Sequence, residues 1–367
     1  MSIDFGVDLD QRRAERTYRE LVPADDDFHD EEMTDRWWET ETCWFSWNVP
    51  ERNLGGWAYC QARPNASICN GGVWVWDDRA AYPWELAYRA EYSGLQLPPR
   101  AQRDMRDFEW PNGVQVRVVE PLTTYAVSYS DPGALEVNLV FDAIMVPNPH
   151  PDGVVPFLKG AHFDQAGHVT GTMVLHGEEI PIDCYSVRDR SWGPRPLGRR
   201  RPRTEATVST APSSAMSSAA SSAAADKQPG TGGFGGVGYS FCAAGPGEAW
   251  LTYAIPGPEV EPVVCGFLLR GGVYGHILAG ERRVTFDPHT GWPLSIELEA
   301  IDEFDRSLSA RGDTVSRHWR GHGGDSLVHW RWDEATEGWG EDQSYFSRDQ
   351  WERNRNRTRT GTRTRTR

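Results

Sequence analysis

The densest chemistry in the chain is a carboxylic acid set between two arginines and ahead of a tryptophan. Residues 183–195 read Asp-Cys-Tyr-Ser-Val-Arg-Asp-Arg-Ser-Trp-Gly-Pro-Arg and close an apolar run. On a strand, side chains two apart share a face, so Asp189 points away from Arg188 and Arg190. If that face is buried, loss of hydration favours the neutral carboxyl, and Asp189 becomes a proton donor near neutral pH. Arg190 then either orients Asp189 or opposes it, because a cation within about 4–6 Å lowers a carboxyl pKa by roughly 1–3 units. The plain alternative is a salt-bridged corner in which Trp192 stacks on a guanidinium.

Other residues invite similar weighing. His162, in Gly160-Ala-His-Phe-Asp-Gln165, is a second candidate proton carrier, with an ordinary core or surface histidine as the alternative. Gly338-Trp-Gly-Glu-Asp-Gln-Ser-Tyr345 sets Trp339 beside Glu341 and Asp342, which in an ordinary turn would face solvent. Trp44, Trp47, Trp74 and Trp76 either fill a β core or line a cavity for a large apolar molecule. Exposed tryptophans with paired carboxylates would instead suit carbohydrate. No phosphate-binding G-x-x-x-x-G-K-[ST] and no G-x-S-x-G elbow occurs. The glycines at 232–238 follow a Ser/Ala run rather than a strand, which is the wrong context for a dinucleotide loop. His318 and His322 would need a helix to share a metal, and Gly321, Gly323 and Gly324 forbid one, so no metal site is expected.

Positioning such groups takes strands. Seventeen Trp, 13 Phe and 12 Tyr accompany 37 Gly and 25 Pro, a mixture of pleat-filling and turn-forming residues. Val114, Val116 and Val118 alternate with polar residues, as do Tyr125, Val127 and Tyr129, and Leu294, Ile296 and Leu298. Asn112-Gly113 and Asp131-Pro-Gly133 punctuate the series. Short spacing without intervening helices predicts an all-β, antiparallel fold. One helix is expected over residues 8–21, capped by Asp8 or Asp10 and stopped by Pro23. The expected organisation is an N-terminal segment (1–24), a first β domain (25–193), an Arg/Ser/Ala-rich disordered insert (194–232), a second β domain (233–351) and a disordered Arg/Thr tail (352–367).

The net charge of −15 disfavours nucleic acid as a partner. No run nears the roughly 18 apolar residues of a membrane span. The N-terminus has no secretory pattern, and six cysteines without a C-x-x-C pair fit reduced thiols, so a cytoplasmic location is expected.

Thr40–Trp47, Gly71–Asp77, Pro83–Glu85, Arg188–Arg195 and Trp339–Gln343, in that order, resemble segments of an uncharacterised bacterial family. That family is similar to the two-domain, lipocalin-like proteins that include carotenoid 1,2-hydratase (hydroxyneurosporene synthase) and, more distantly, tocopherol cyclase. The hydratase motif reads approximately Tyr-x-Asp-His-x-Trp-Gly. Asp189, Trp192 and Gly193 match it, Arg190 stands in the histidine place and Val187 in the tyrosine place, with Tyr185 one alternation back on the same face. The resemblance implies two β-barrels or calyx-like sandwiches packed together, with a hydrophobic cavity near the motif and no metal or organic cofactor. It implies that Asp189 protonates an isoprenoid, steroid-like or polyketide substrate for hydration, cyclisation or isomerisation. Trp192 would steady the cationic charge, and Tyr185, Trp74, Trp76, Trp339 and Glu341 would contact the ligand. A non-catalytic carrier of hydrophobic small molecules is the alternative.

Overall fold

Alternation along the first strands sends their side chains into two different cores. The computed structural model describes residues 5–346 except 81, 83, 156–159, 196–235, 258–259, 288–289, 321–322 and 334. The expected insert beyond Arg195 and the whole expected tail lie outside the described residues.

The first unit comprises β1 (Glu39–Val49), β2 (Leu54–Arg63), β3 (Ile68–Trp76), β4 (Tyr88–Gln96), β5 (Asp107–Glu109) and β6 (Gln115–Glu120). It continues with β7 (Thr124–Asp131), β8 (Leu135–Ala143), β9 (Asn148–Pro149), β10 (Ala161–Leu175) and β11 (Glu178–Pro194). They form one antiparallel sheet in the order β4-β3-β2-β1-β11-β10-β8-β7-β6-β5, with β9 beside β10. Phe45, Trp47 and Val73 from one half of that order share a core with Val127, Leu139 and Phe141 from the other, so the sheet is curled upon itself. The opposite face carries Trp44, Trp57, Trp74 and Trp76. All eleven residues of β1 are buried, as expected of a strand covered on both sides.

The second unit is a closed barrel of β12 (Gly236–Gly245), β13 (Glu248–Ala254), β14 (Glu261–Arg270) and β15 (Val273–Phe286), followed by β16 (Pro293–Asp302), β17 (Ser307–Arg320), β18 (Gly323–Trp332) and β19 (Thr336–Phe346). Trp250, Leu298, Trp330 and Trp332 fill its interior. Phe241, Leu251 and Phe267 face outward and pack on the tryptophan face of the first unit. The fold is therefore all-β, with a curled sheet joined to a barrel and a short N-terminal helix.

That helix, α1 (Leu9–Glu15), is capped by Asp8, whose carboxylate accepts from Gln11 N at 2.9 Å. It is shorter than the helix expected over residues 8–21, because tertiary bonds pull Arg16 into extended backbone. The Arg16 guanidinium donates to the barrel carbonyls of Ile277 (2.5 Å), Val264 (2.5 Å) and Leu278 (2.7 Å). The chain then runs on as a strap: Tyr18 stacks on His276 at 3.7 Å and bridges to Pro151. No helix among the described residues is long and apolar enough to cross a membrane. All six cysteines are buried and unpaired.

Candidate acid–base site

On β10 the alternation puts His162, Asp164 and Ala166 on the face that meets the barrel, and the register sets Asp164 directly opposite Asp189 of β11. Asp164 is fully buried. One of its oxygens takes a bond from His150 Nε2 (2.7 Å), the other from His162 Nε2 (3.1 Å) and from the Tyr239 hydroxyl (3.1 Å). Tyr253 OH lies 3.0 Å from His162 Nε2. Burial alone would raise the Asp164 pKa, but His162 and His150 hold the carboxylate well below its usual range. Burial, followed by the neighbouring His150, lowers His162, which favours the neutral imidazole. Burial and then Asp164 push both tyrosines up, so they stay protonated donors.

Asp189 completes the cluster in a different state. Burial raises its pKa to about 6, and the nearby Asp164 reinforces this against His162, Arg195 and Arg190. Its Oδ1 is buried and meets no hydrogen-bond partner among the described residues. Two carboxyls opposite each other thus lose their protons in different pH ranges, one held ionised by two imidazoles and one raised to about 6 by desolvation.

A cleft of about 400 Å³ opens beside this cluster, between the N-terminal strap and the ends of β10 and β11. His150, His162 and Trp192 line it. The motif glycine is needed here: Gly193 has φ +100, and a Cβ on it would lie 2.8 Å from Gly160 Cα.

The structure brings together Asp189 and His162, sets Trp192 in the wall of the adjoining cleft, and places the other expected residues elsewhere. Arg190 lies on the opposite face of β11, where it pairs with Glu41 at 2.6 Å and donates to Thr42 O and Asp27 O. It therefore does not hold the Asp189 carboxyl. Trp192 shares that face; His29 stacks on its ring at 3.8 Å, and Arg19 lies 5.0 Å from the ring centroid. Trp74 and Trp76 are sealed between the two units. Tyr185 stacks on His168 at 4.8 Å. Trp339 stacks on His329 at 4.8 Å. The Glu341–Asp342 pair is no solvent-facing turn: both are buried in β19, because alternation sends one out to the first unit and the other into the barrel. Asp342 pairs with Arg282 at 2.7 Å. Glu341 accepts from Trp57 Nε1 at 2.9 and 2.8 Å. Replacing Trp57 with Phe removes a donor from a buried carboxylate, and a loss of about 1–3 kcal/mol is expected in urea denaturation.

The residues missed from sequence are His150, Asp164, Tyr239 and Tyr253. His162-x-Asp164 on one strand face was a readable signal; the other three arrive through long-range pairing.

His150, His162 and Asp164 place three potential ligand atoms within 4.8 Å of one another. Each imidazole, however, directs Nε2 at Asp164, and each buried Nδ1 has no partner among the described residues. A metal-bound imidazole ordinarily gives its second N–H to an acceptor, so the group fits a hydrogen-bonded triad better than a metal centre.

The fold has relatives among solved structures. A putative AttH from Nitrosomonas europaea aligns over 90% of this chain and 97% of its own, at 12% identity and a TM-score of 0.57. Kievitone hydratase from Nectria haematococca aligns over 86% of this chain and 90% of its own, at 11% identity and a TM-score of 0.51. At such identities the likeness is one of fold. A search of curated proteins finds no match. Residues 22–344 match the profile of the domain of unknown function DUF7064, and the chain, spanned almost from end to end, belongs to that family.

Proposed function

We propose that the cluster performs acid–base chemistry on a hydrophobic small molecule: hydration, cyclisation or isomerisation of an isoprenoid, steroid-like or polyketide substrate. The observation that carries this reading is the Asp189 carboxyl, whose buried Oδ1 meets no hydrogen-bond partner among the described residues and whose pKa is raised to about 6, beside the cleft-lining His162. Asp189 stores the proton and His162 passes it to the substrate. In a hydration, a proton adds to one alkene carbon, water bonds to the cation that forms, and the proton lost by that water returns to Asp189. No reagent beyond a proton and water is consumed. Asp164 and the two tyrosines keep the His162 ring oriented. That kievitone hydratase, by its name a hydratase, shares the fold is consistent with this chemistry.

The test begins with native mass spectrometry of protein purified from its own host, to find the small molecule that accompanies it. That molecule is then incubated with wild type and with Asp189→Asn and followed by liquid chromatography–mass spectrometry. Conversion by wild type alone is the expected result. Equal conversion by both would remove Asp189 from the reaction, and binding without conversion by either would leave a carrier.

A further inference from the structure

A second cleft, of about 500 Å³, runs under the same strap and meets the first at Arg19, Leu21 and Pro149. Either volume falls in the range of about 300–1,000 Å³ usual for small-molecule sites. The two ends differ in chemistry. Toward His150 and His162 the walls are polar, whereas the far end is walled by Leu122, Met145 and Val146, the last 62% exposed.

The cation at the junction is already matched. Arg19 bonds Asp25 at 3.0 Å and Glu32 at 2.7 Å. Glu32 and Asp152 add negative charge to the polar walls, and the Asp164 carboxylate lies behind the two histidines. An anionic head group would therefore meet repulsion and find no free guanidinium among the described residues; a neutral hydroxyl or carbonyl would meet no such repulsion.

Leu122 supplies an independent sign. It stands at φ +58, a conformation that glycine or asparagine adopts at less cost. A buried network keeps it there: its N–H donates to Asp26 at 2.6 Å, and its carbonyl accepts from Gln165 Nε2 at 2.8 Å. Asp26 in turn accepts from Tyr125, and Gln165 from Arg188. A leucine kept in a strained turn points to a use for its side chain, and Leu122 is one of the residues that line the apolar cleft.

We infer that the joined clefts bind an elongated molecule with one neutral polar end at His162 and an uncharged apolar tail along Leu122, Met145 and Val146. Only the choice of which end enters the polar cleft rests on the acid–base reading above. The test is calorimetric titration at pH 7 of the full chain with 4-alkylphenols from butyl to octyl, and with straight-chain carboxylic acids of matched length. Affinity for the phenols is expected to rise about three- to fourfold per methylene, and the acids to bind at least about tenfold more weakly. Val146→Asp and Leu122→Gly should each flatten the chain-length dependence. Leu122→Gly should do so with an unchanged or higher melting temperature, because it relieves the left-handed strain. Absence of phenol binding, a slope untouched by both variants, or equal binding of the acids would overturn the proposal. So would a change of oligomeric state in Val146→Asp with an unaltered slope, since the exposed Val146 would then pack against a second copy of the chain. If Asp189→Asn kept full turnover while the slope and its loss in the variants held, the acid–base reading alone would fall.

Discussion

Asp189→Asn is expected to lower turnover by about 10²–10⁴-fold, the usual contribution of a positioned proton donor, while making the folded protein more stable at pH 7. The sign follows from where the proton sits. An exposed carboxyl in the unfolded chain titrates near about 3.9, whereas folded Asp189 titrates at about 6. Below roughly pH 4 both states are protonated and the group adds no pH dependence. Between roughly pH 4 and 6 the folded chain keeps a proton that the unfolded chain has lost, so stability falls as pH rises. Above pH 6 the folded form carries a desolvated carboxylate without a hydrogen bond at Oδ1. Because the residue as a whole is only partly buried, the cost is about 1–2 kcal/mol rather than the roughly 3 kcal/mol of the full shift. Asn has no charge to bury, so the stability gap between variant and wild type should be near zero at pH 4 and widen toward pH 7. Urea denaturation at those two pH values reads it directly. The turnover of wild type should fall above about pH 6 as Asp189 loses its proton, and that limb should vanish in the variant. A stability gap that does not change with pH would mean that Asp189 is an ordinary surface carboxylate.

Arg190→Met should produce the largest loss of stability, about 3–5 kcal/mol, since it strands one partner of a buried ion pair. Arg190 and Glu41 are 2% and 0% exposed, and among the described residues Glu41 would keep only His29 beside it. Pairing the change with Glu41→Leu should recover most of the loss, because removing both charges also removes the desolvation they require. A thermodynamic cycle from chemical denaturation of the four proteins measures this coupling. The same variant separates two roles for Arg190. With the guanidinium on the far face of β11, its loss should move the Asp189 pH limb only slightly upward. If turnover instead collapsed in a folded Arg190→Met protein, Arg190 would be orienting the acid after all.

Both arguments turn on which side of a strand a residue occupies, and much of that was legible. The alternation through Val187, Asp189 and Ser191 put Asp189 opposite its flanking arginines, as the structure has it. The same rule separates Trp44 from Trp47 and sends them to different cores. What alternation leaves open is what covers each face. Glu341 reads as a turn carboxylate because its neighbours are glycine and aspartate, yet it meets Trp57, 284 residues away in the chain. The helix expected through residue 21 ends at Glu15 because the guanidinium of Arg16 binds carbonyls of the barrel, which no local propensity records.

Period-two writing, turn residues and short spacing without intervening helices determined the all-β class from the chain alone, together with a capped N-terminal helix and the candidacy of Asp189 and His162. These are local properties, carried by backbone preference and by which side chains share a face. Only the tertiary structure decided that Asp189 lies opposite Asp164, that Tyr239 and Tyr253 come from the barrel to close the cluster, and that Arg190 faces Glu41. The reason is physical: a carboxyl pKa depends on lost hydration and on charges a few ångströms away. In a sheet those neighbours are chosen by strand register and by packing between units, and a slip of one residue would exchange every one of them.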